Sequence, residues 1–226
     1  MRNNIAKFTI TLALLLVNSL GYTQNLIYPQ KIDSNNQIIV HTGYTLSYNE
    51  TYEQANWVTY MLCASDLDSA TAIRKNYFKP DALIKTGSAE LSDYVGSGYD
   101  RGHLSPAGNY IENQVEMDES FYMSNISPQD PSFNRGIWKR LENYERELAV
   151  EKDTIYVITG GILKGDLKTI GDNEVAVPEY FFKIFYNDSF ILCFLIKNEK
   201  SSVSIFDFIQ PLTKIEEESG LMFTLH

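Results

Sequence analysis

One stretch of this chain repeats at helical spacing, and apolar runs of strand length stand on both sides of it. Between residues 132 and 150, Asn134, Ile137, Trp138, Leu141, Tyr144 and Leu148 recur every three or four positions, which places them on one side of an α-helix. Asp130 or Ser132 is positioned to cap it, and Pro131 suits its first turn. Upstream, residues 44–48 and 57–64 have the β-branched and aromatic content of strands; downstream, residues 154–159, 180–186 and 190–196 have the same. Residues 81–98 are punctuated like a loop, and residues 211–219 read as a short closing helix. Strands before and after one central helix, without a regular alternation, predict an α+β fold. The 226 residues, 44% of them hydrophobic, are enough for one domain with a real core.

The first 23 residues read as an export signal. Arg2 and Lys7 are followed by an apolar run at 10–17, too short to span a bilayer, and Gly21 and Thr23 are small enough to flank a cut before Gln24. The expected mature protein is secreted or periplasmic, without stable membrane association. Residues 24–42, polar and Asn-rich, read as a loose lead-in. Loss of the signal removes two cations and no acids, moving the formal net charge from -10 to about -12. Such a chain can hold a polyanion only through a local cationic patch or bound metal ions. Cys63 and Cys193 sit in apolar runs, and either a disulfide or two buried thiols fits an exported chain.

Residues 100–109 read Asp-Arg-Gly-His-Leu-Ser-Pro-Ala-Gly-Asn. Arg101 can hold a phosphate through a planar, permanently charged fork. Gly102 lets the backbone pass close to a ligand. His103 can exchange a proton near neutral pH, and of the three histidines (His41, His103, His226) it alone stands beside an arginine and an aspartate. Asp100 is suited to orienting the strand or pairing with a cation.

A second informative stretch is Ser124-Asn125-Ile126-Ser127-Pro128-Gln129, followed by Phe133-Asn134-Arg135-Gly136-Ile137-Trp138-Lys139-Arg140-Leu141-Glu142. Together with residues 100–109 it resembles the DNA/RNA non-specific endonucleases of the ββα-metal (His-Me finger) superfamily, and the resemblance runs from Gly43 to the C-terminus. It implies a domain over 43–226 with a central antiparallel sheet and the metal-site helix packed on it. It implies a Mg²⁺-dependent hydrolysis of DNA and RNA to 5′-phosphate products, with Mn²⁺ as a possible substitute. A homodimer is compatible with it, since some members of the family dimerise.

By the same resemblance His103 is the general base and Asn134 the metal ligand. An amide oxygen is a hard donor suited to Mg²⁺, although asparagine also caps helices. Glu142 lies eight residues further along the helix. In a uniform α-helix that is a rise of about 12 Å and a turn of about 80°, so both cannot ligate one ion, and Glu142 is expected to orient a water. Glu145 and Glu147 read as solvated face glutamates. Arg101 and Arg74 correspond to the arginines that stabilise phosphate charge. Asn125 corresponds to a supporting asparagine that holds a water or a phosphate oxygen. Arg135 and Arg140 read as substrate contacts or plain surface cations. The fifteen tyrosines fall mostly in strand-like runs and read as core or sheet-face residues, not stacking platforms. A catalytically silent binding module and a small-molecule phosphodiesterase are the competing classes. An imidazole of ordinary pKa, about 6.5, predicts activity that rises between pH 5.5 and 8.

Overall fold

The strand-like runs form the middle of one antiparallel sheet. In the computed structural model, which describes Pro29 and residues 36–224, the elements are β1 (Asn36–Val40), β2 (Thr45–Asn49), β3 (Gln54–Cys63), α1 (Leu91–Tyr94), β4 (Asp100–His103), α2 (Gln114–Glu119) and β5 (Ile126–Gln129). A π-helical segment (Phe133–Trp138) then runs into α3 (Lys139–Lys152), followed by β6 (Thr154–Gly161), β7 (Thr169–Ile170), β8 (Val175–Ala176), β9 (Tyr180–Asn187), β10 (Phe190–Lys197), β11 (Ile209–Gln210) and α4 (Leu212–Ser219). The large sheet has the order β1-β2-β3-β6-β9-β10-β11. The proposed signal segment and its cut lie outside the described residues. The loose lead-in is corrected at its end: residues 36–40 form the edge strand β1, paired with β2 from Asn36 opposite Asn49 to Val40 opposite Thr45. Its Asn and Gln side chains disguise it because an edge strand is half solvated.

Both faces of the sheet are covered, which is why its central strands read as nearly continuous apolar runs. Side chains alternate across a strand. In β9, Phe181 and Phe185 join the core beneath the central helix, together with Val58, Tyr60, Trp138, Leu141 and Leu148. Phe182, Ile184 and Tyr186 join the opposite core with Trp57, Cys193, Ile215 and Leu221, closed by α4. Cys63 and Cys193 are free thiols.

That alternation puts Lys183 on the helix side, and Glu145 is there to meet it. The Lys183 Nζ lies 2.8 Å from Glu145 Oε2, and both side chains are fully buried. Tyr60 Oη donates to Glu145 Oε1 (2.8 Å), and Asn109 Nδ2 donates to the same oxygen (2.5 Å). The expectation that Glu145 is a solvated glutamate is therefore wrong. Its partner lies 38 positions away, where helical periodicity says nothing.

Strands β3 and β6 are neighbours from Val58 opposite Thr159 to Cys63 opposite Thr154, yet residues 64–153 intervene. The two ends of this excursion are tied by Ala64 N donating to Asp153 O (2.8 Å). The excursion contains β4, β5 and the central helix. Removing one partner of a buried ion pair strands the other charge, at about 3–5 kcal/mol. Lys183→Met should lose stability of that order in urea denaturation, and adding Glu145→Leu should recover part of it; a silent Lys183→Met would refute this account of the core.

Candidate active site

Strands β4 and β5 pair antiparallel, with Asp100 opposite Gln129 and His103 opposite Ile126, and the helix that follows is pinned across them at two points. At one end Asn134 Nδ2 donates to Asp100 Oδ2 (2.9 Å). One turn on, Trp138 Nε1 donates to the His103 carbonyl (3.3 Å). Asp130 caps the helix, its Oδ1 accepting from the N–H groups of Ser132 and Phe133 (2.7 and 3.2 Å). The backbone passing closely at Gly102 meets protein, not ligand: a Cβ there would lie 2.1 Å from the Gln129 side chain.

The first part of the helix is wound as a π-helix, which the expected uniform α-helix did not include. A π turn holds more residues than an α turn, so each residue rotates less. Asn134 and Glu142 therefore lie nearer one side of the helix than a uniform α-helix puts them, still some two turns apart.

His103 is half-buried in an aromatic slot. Its ring centroid lies 5.5 Å from that of Phe78 and 5.0 Å from that of Phe121, the latter edge-on. The same two rings carry the arginines. Arg101 Cζ sits 4.4 Å from the Phe78 centroid and Arg74 Cζ 5.4 Å from the Phe121 centroid. Arg74 Nε also donates to Asn76 Oδ1 (2.8 Å). His103 Nε2 is buried and has no hydrogen-bond partner. Burial, with the Arg74 charge, pushes the imidazole down to about 3. It is already neutral from pH 5.5 to 8, so an ordinary histidine pKa does not supply the expected rise of activity.

Glu142 is the group that titrates near neutrality. Burial pushes its carboxyl up to about 7, with Glu145 adding to the rise and Lys183, Arg146 and Arg74 opposing it. Arg74 thus acts on both His103 and Glu142, which places the three in one electrostatic field. Asp100 is drawn the other way: the Arg135 and Asn134 hydrogen bonds outweigh its burial and hold its carboxyl below the usual range.

Three expected site residues have other duties. Asn125 is fully buried. Its Oδ1 accepts from Ser105 N (2.9 Å), and its Nδ2 donates to the carbonyls of Ser105 and Ser120 (both 2.9 Å), so it clamps the chain leaving β4. Arg135 commits Nε and Nη2 to the two Asp100 oxygens (2.8 and 2.6 Å). Arg140 turns to the Ser201 carbonyl (3.2 Å). Sequence reasoning missed Phe78, Phe121, Glu145 and Lys183. Only Lys183 carried a signal, as a lone cation in the run Phe181-Phe182-Lys183-Ile184-Phe185.

The donors fit a hard divalent ion. With Nδ2 held by Asp100, the amide of Asn134 presents its oxygen elsewhere. No cluster of three His, Cys, Asp or Glu side chains suited to a metal exists among the described residues, so an ion at Asn134 would keep most of its water, as Mg²⁺ does.

Residues 22–225 match the sequence model of the DNA/RNA non-specific endonucleases. The chain belongs to that family. Mitochondrial endonuclease G of Caenorhabditis elegans is 36% identical over 204 residues, covering 80% of this chain and 66% of that protein. A nuclease of Nostoc sp. is 37% identical over 180 residues, covering 78% of this chain and 62% of that protein. The matched region thus spans slightly less than two thirds of the length of these relatives. Among solved structures, a chain of the EndoG/EndoGI complex superposes with a TM-score of 0.76 at 32% identity, covering 82% of this chain and 84% of that one. The ββα unit and its central antiparallel sheet are thus the endonuclease fold expected from the sequence.

The half-buried Glu142 of this family member lies where ionisation is disfavoured. Its contribution to stability is full below the unfolded value near 4.5 and is lost as pH rises through about 7. In chelator, Glu142→Gln should raise the thermal midpoint at pH 8 and leave it nearly unchanged below the unfolded value near 4.5; equal effects in both conditions would rule out the shift.

Proposed function

We propose that this chain is a secreted, Mg²⁺-dependent endonuclease that hydrolyses phosphodiester bonds of DNA and RNA, leaving 5′-phosphates, with Mn²⁺ able to substitute. The observation that carries the reading is the double pin of the helix on β4, which sets Asn134 against Asp100 and Trp138 against His103. One ligand residue and one base are thereby held on adjoining elements, with Arg74 and Arg101 mounted on the rings that flank the base.

Arg74 and Arg101 hold the scissile phosphate, and their forks face the charge that gathers on its oxygens during attack. His103, neutral in the free protein, takes the proton from the attacking water. The new bond joins that water oxygen to phosphorus, and the bond to the 3′ oxygen breaks. The leaving oxygen takes a proton from solvent and the phosphate stays on the 5′ side. A polyanion beside His103 raises its proton affinity, which improves the base when substrate is present. Bound Mg²⁺ would be held by Asn134 and would offset negative charge on the leaving side. Glu142 orients water when ionised, so the rate should rise across pH 6–8 as this carboxyl loses its proton. Asp100, fixed by Arg135, keeps the Asn134 amide from flipping. Contacts to phosphates rather than base edges leave sequence unread. The polar and charged N-terminal features at Arg2 and Lys7, with the apolar run between 10 and 17, support export.

Incubation with plasmid and with RNA should give Mg²⁺-dependent cutting that stops in chelator. His103→Ala should abolish it while Mg²⁺ binding persists in calorimetry. No cutting by wild type would sink the nuclease reading, and retained turnover in His103→Ala would reject the base. Asp100→Ala should weaken Mg²⁺ binding several-fold without unfolding the chain, and part of its activity should return at high Mg²⁺. N-terminal sequencing of protein recovered outside the cell should begin at Gln24; an intact Met1 there would reject the cut.

A further inference from the structure

Residues 72–80 read Ala-Ile-Arg-Lys-Asn-Tyr-Phe-Lys-Pro, three cations without an acid in a chain of net charge -10. Arg74, Lys75 and Lys79 are exposed. Tyr77 leaves 74% of its surface in solvent, the most of any described tyrosine. The segment that presents it is held on both sides. Arg74 Nε and the Phe78 N–H both bond to Asn76, whose φ of 50° makes a tight left-handed turn. Lys79 N donates to Phe121 O (3.2 Å), Lys79 O accepts from Met123 N (2.9 Å), and Lys79 Nζ lies 4.6 Å from the Tyr122 centroid. Phe78, the next residue, packs on His103 and carries Arg101. Tyr77 is thus an aromatic ring on a pinned backbone, among cations, one residue from the wall of the catalytic histidine. The fold gains little burial from it.

We propose that Tyr77 is a stacking platform for an unpaired nucleobase next to the phosphate held by Arg74 and Arg101, so that this site favours single-stranded polynucleotide. The inference rests on the nuclease reading above. In a duplex the faces of the bases are covered by their neighbours, whereas in a single strand a base can turn onto a protein ring. Stacking tolerates every base, because each has a π-face, and so adds attraction without sequence preference. Tyr77, Lys75 and Lys79 then form the local patch that an acidic chain needs to hold a polyanion.

The test measures binding in a His103→Ala background with Mg²⁺, using labelled oligo(dT) and a hairpin duplex of equal length. Tyr77→Ala should weaken oligo(dT) binding ~10-fold and leave the duplex unchanged, while Tyr77→Phe should bind both like the parent. With His103 restored, Tyr77→Ala should raise KM for single strands with kcat little altered. Equal losses on both ligands, or no loss on oligo(dT), overturn the proposal. If wild type cuts polynucleotides and ignores Tyr77→Ala, only the stacking fails; if wild type cuts none, the nuclease reading fails and takes this proposal with it.

Discussion

The structure turns on a fully buried ion pair. Lys183 comes from β9 in the sheet, Glu145 from the helix above it, and their contact of 2.8 Å is completed by Tyr60 from β3 and Asn109 from the turn after β4. Three separate parts of the chain converge on the one carboxylate that the helix supplies. Two buried charges are tolerated only with such satisfaction, and the demand is directional where apolar packing is not. The helix can slide on its phenylalanines, but it cannot slide and keep Glu145 on Lys183. Asn134, Trp138 and Glu142 inherit their positions from that register.

A second economy of design concerns charge. The chain carries a net charge of -10, so the state of each cation near the candidate site matters. Arg74 and Arg101 sit on ring faces. A ring holds a guanidinium without neutralising it. Arg135 shows the contrast: it is bound bidentately by Asp100, and its charge is spent on keeping a strand and a helix together.

The architecture was readable where periodicity is strong. The helix over 132–150 and the strands around 57–64, 180–186 and 190–196 stand where apolar spacing puts them, because each buries a face and burial writes a period into sequence. Its π-helical beginning was not readable: the same residues wind either way, and phase is settled by the two pins on β4. Strand β1 escaped because one side faces water. In the site, His103, Arg101, Arg74, Asn134 and Glu142 gather around β4 and the helix, whereas Asn125 has been spent on backbone bonds. A motif tells which side chains are present, and only geometry tells which atoms remain free. Glu145 was misread for a related reason, since a long-range partner leaves no trace in local pattern.

The tie between Ala64 and Asp153 has a temporal side. During synthesis the helix and both ββ strands emerge before β9, and until β9 pairs with β6 there is no Lys183 beneath Glu145. The segment 64–153 is a loop whose closure carries an entropic cost and whose keystone is made last. A ribosome-bound chain that ends short of Lys183 holds His103, Asn134 and both arginines, yet lacks the register that aligns them. The alignment of the site is thus tied to a residue of β9, late in the order of synthesis, and not to the segment that carries the site residues themselves.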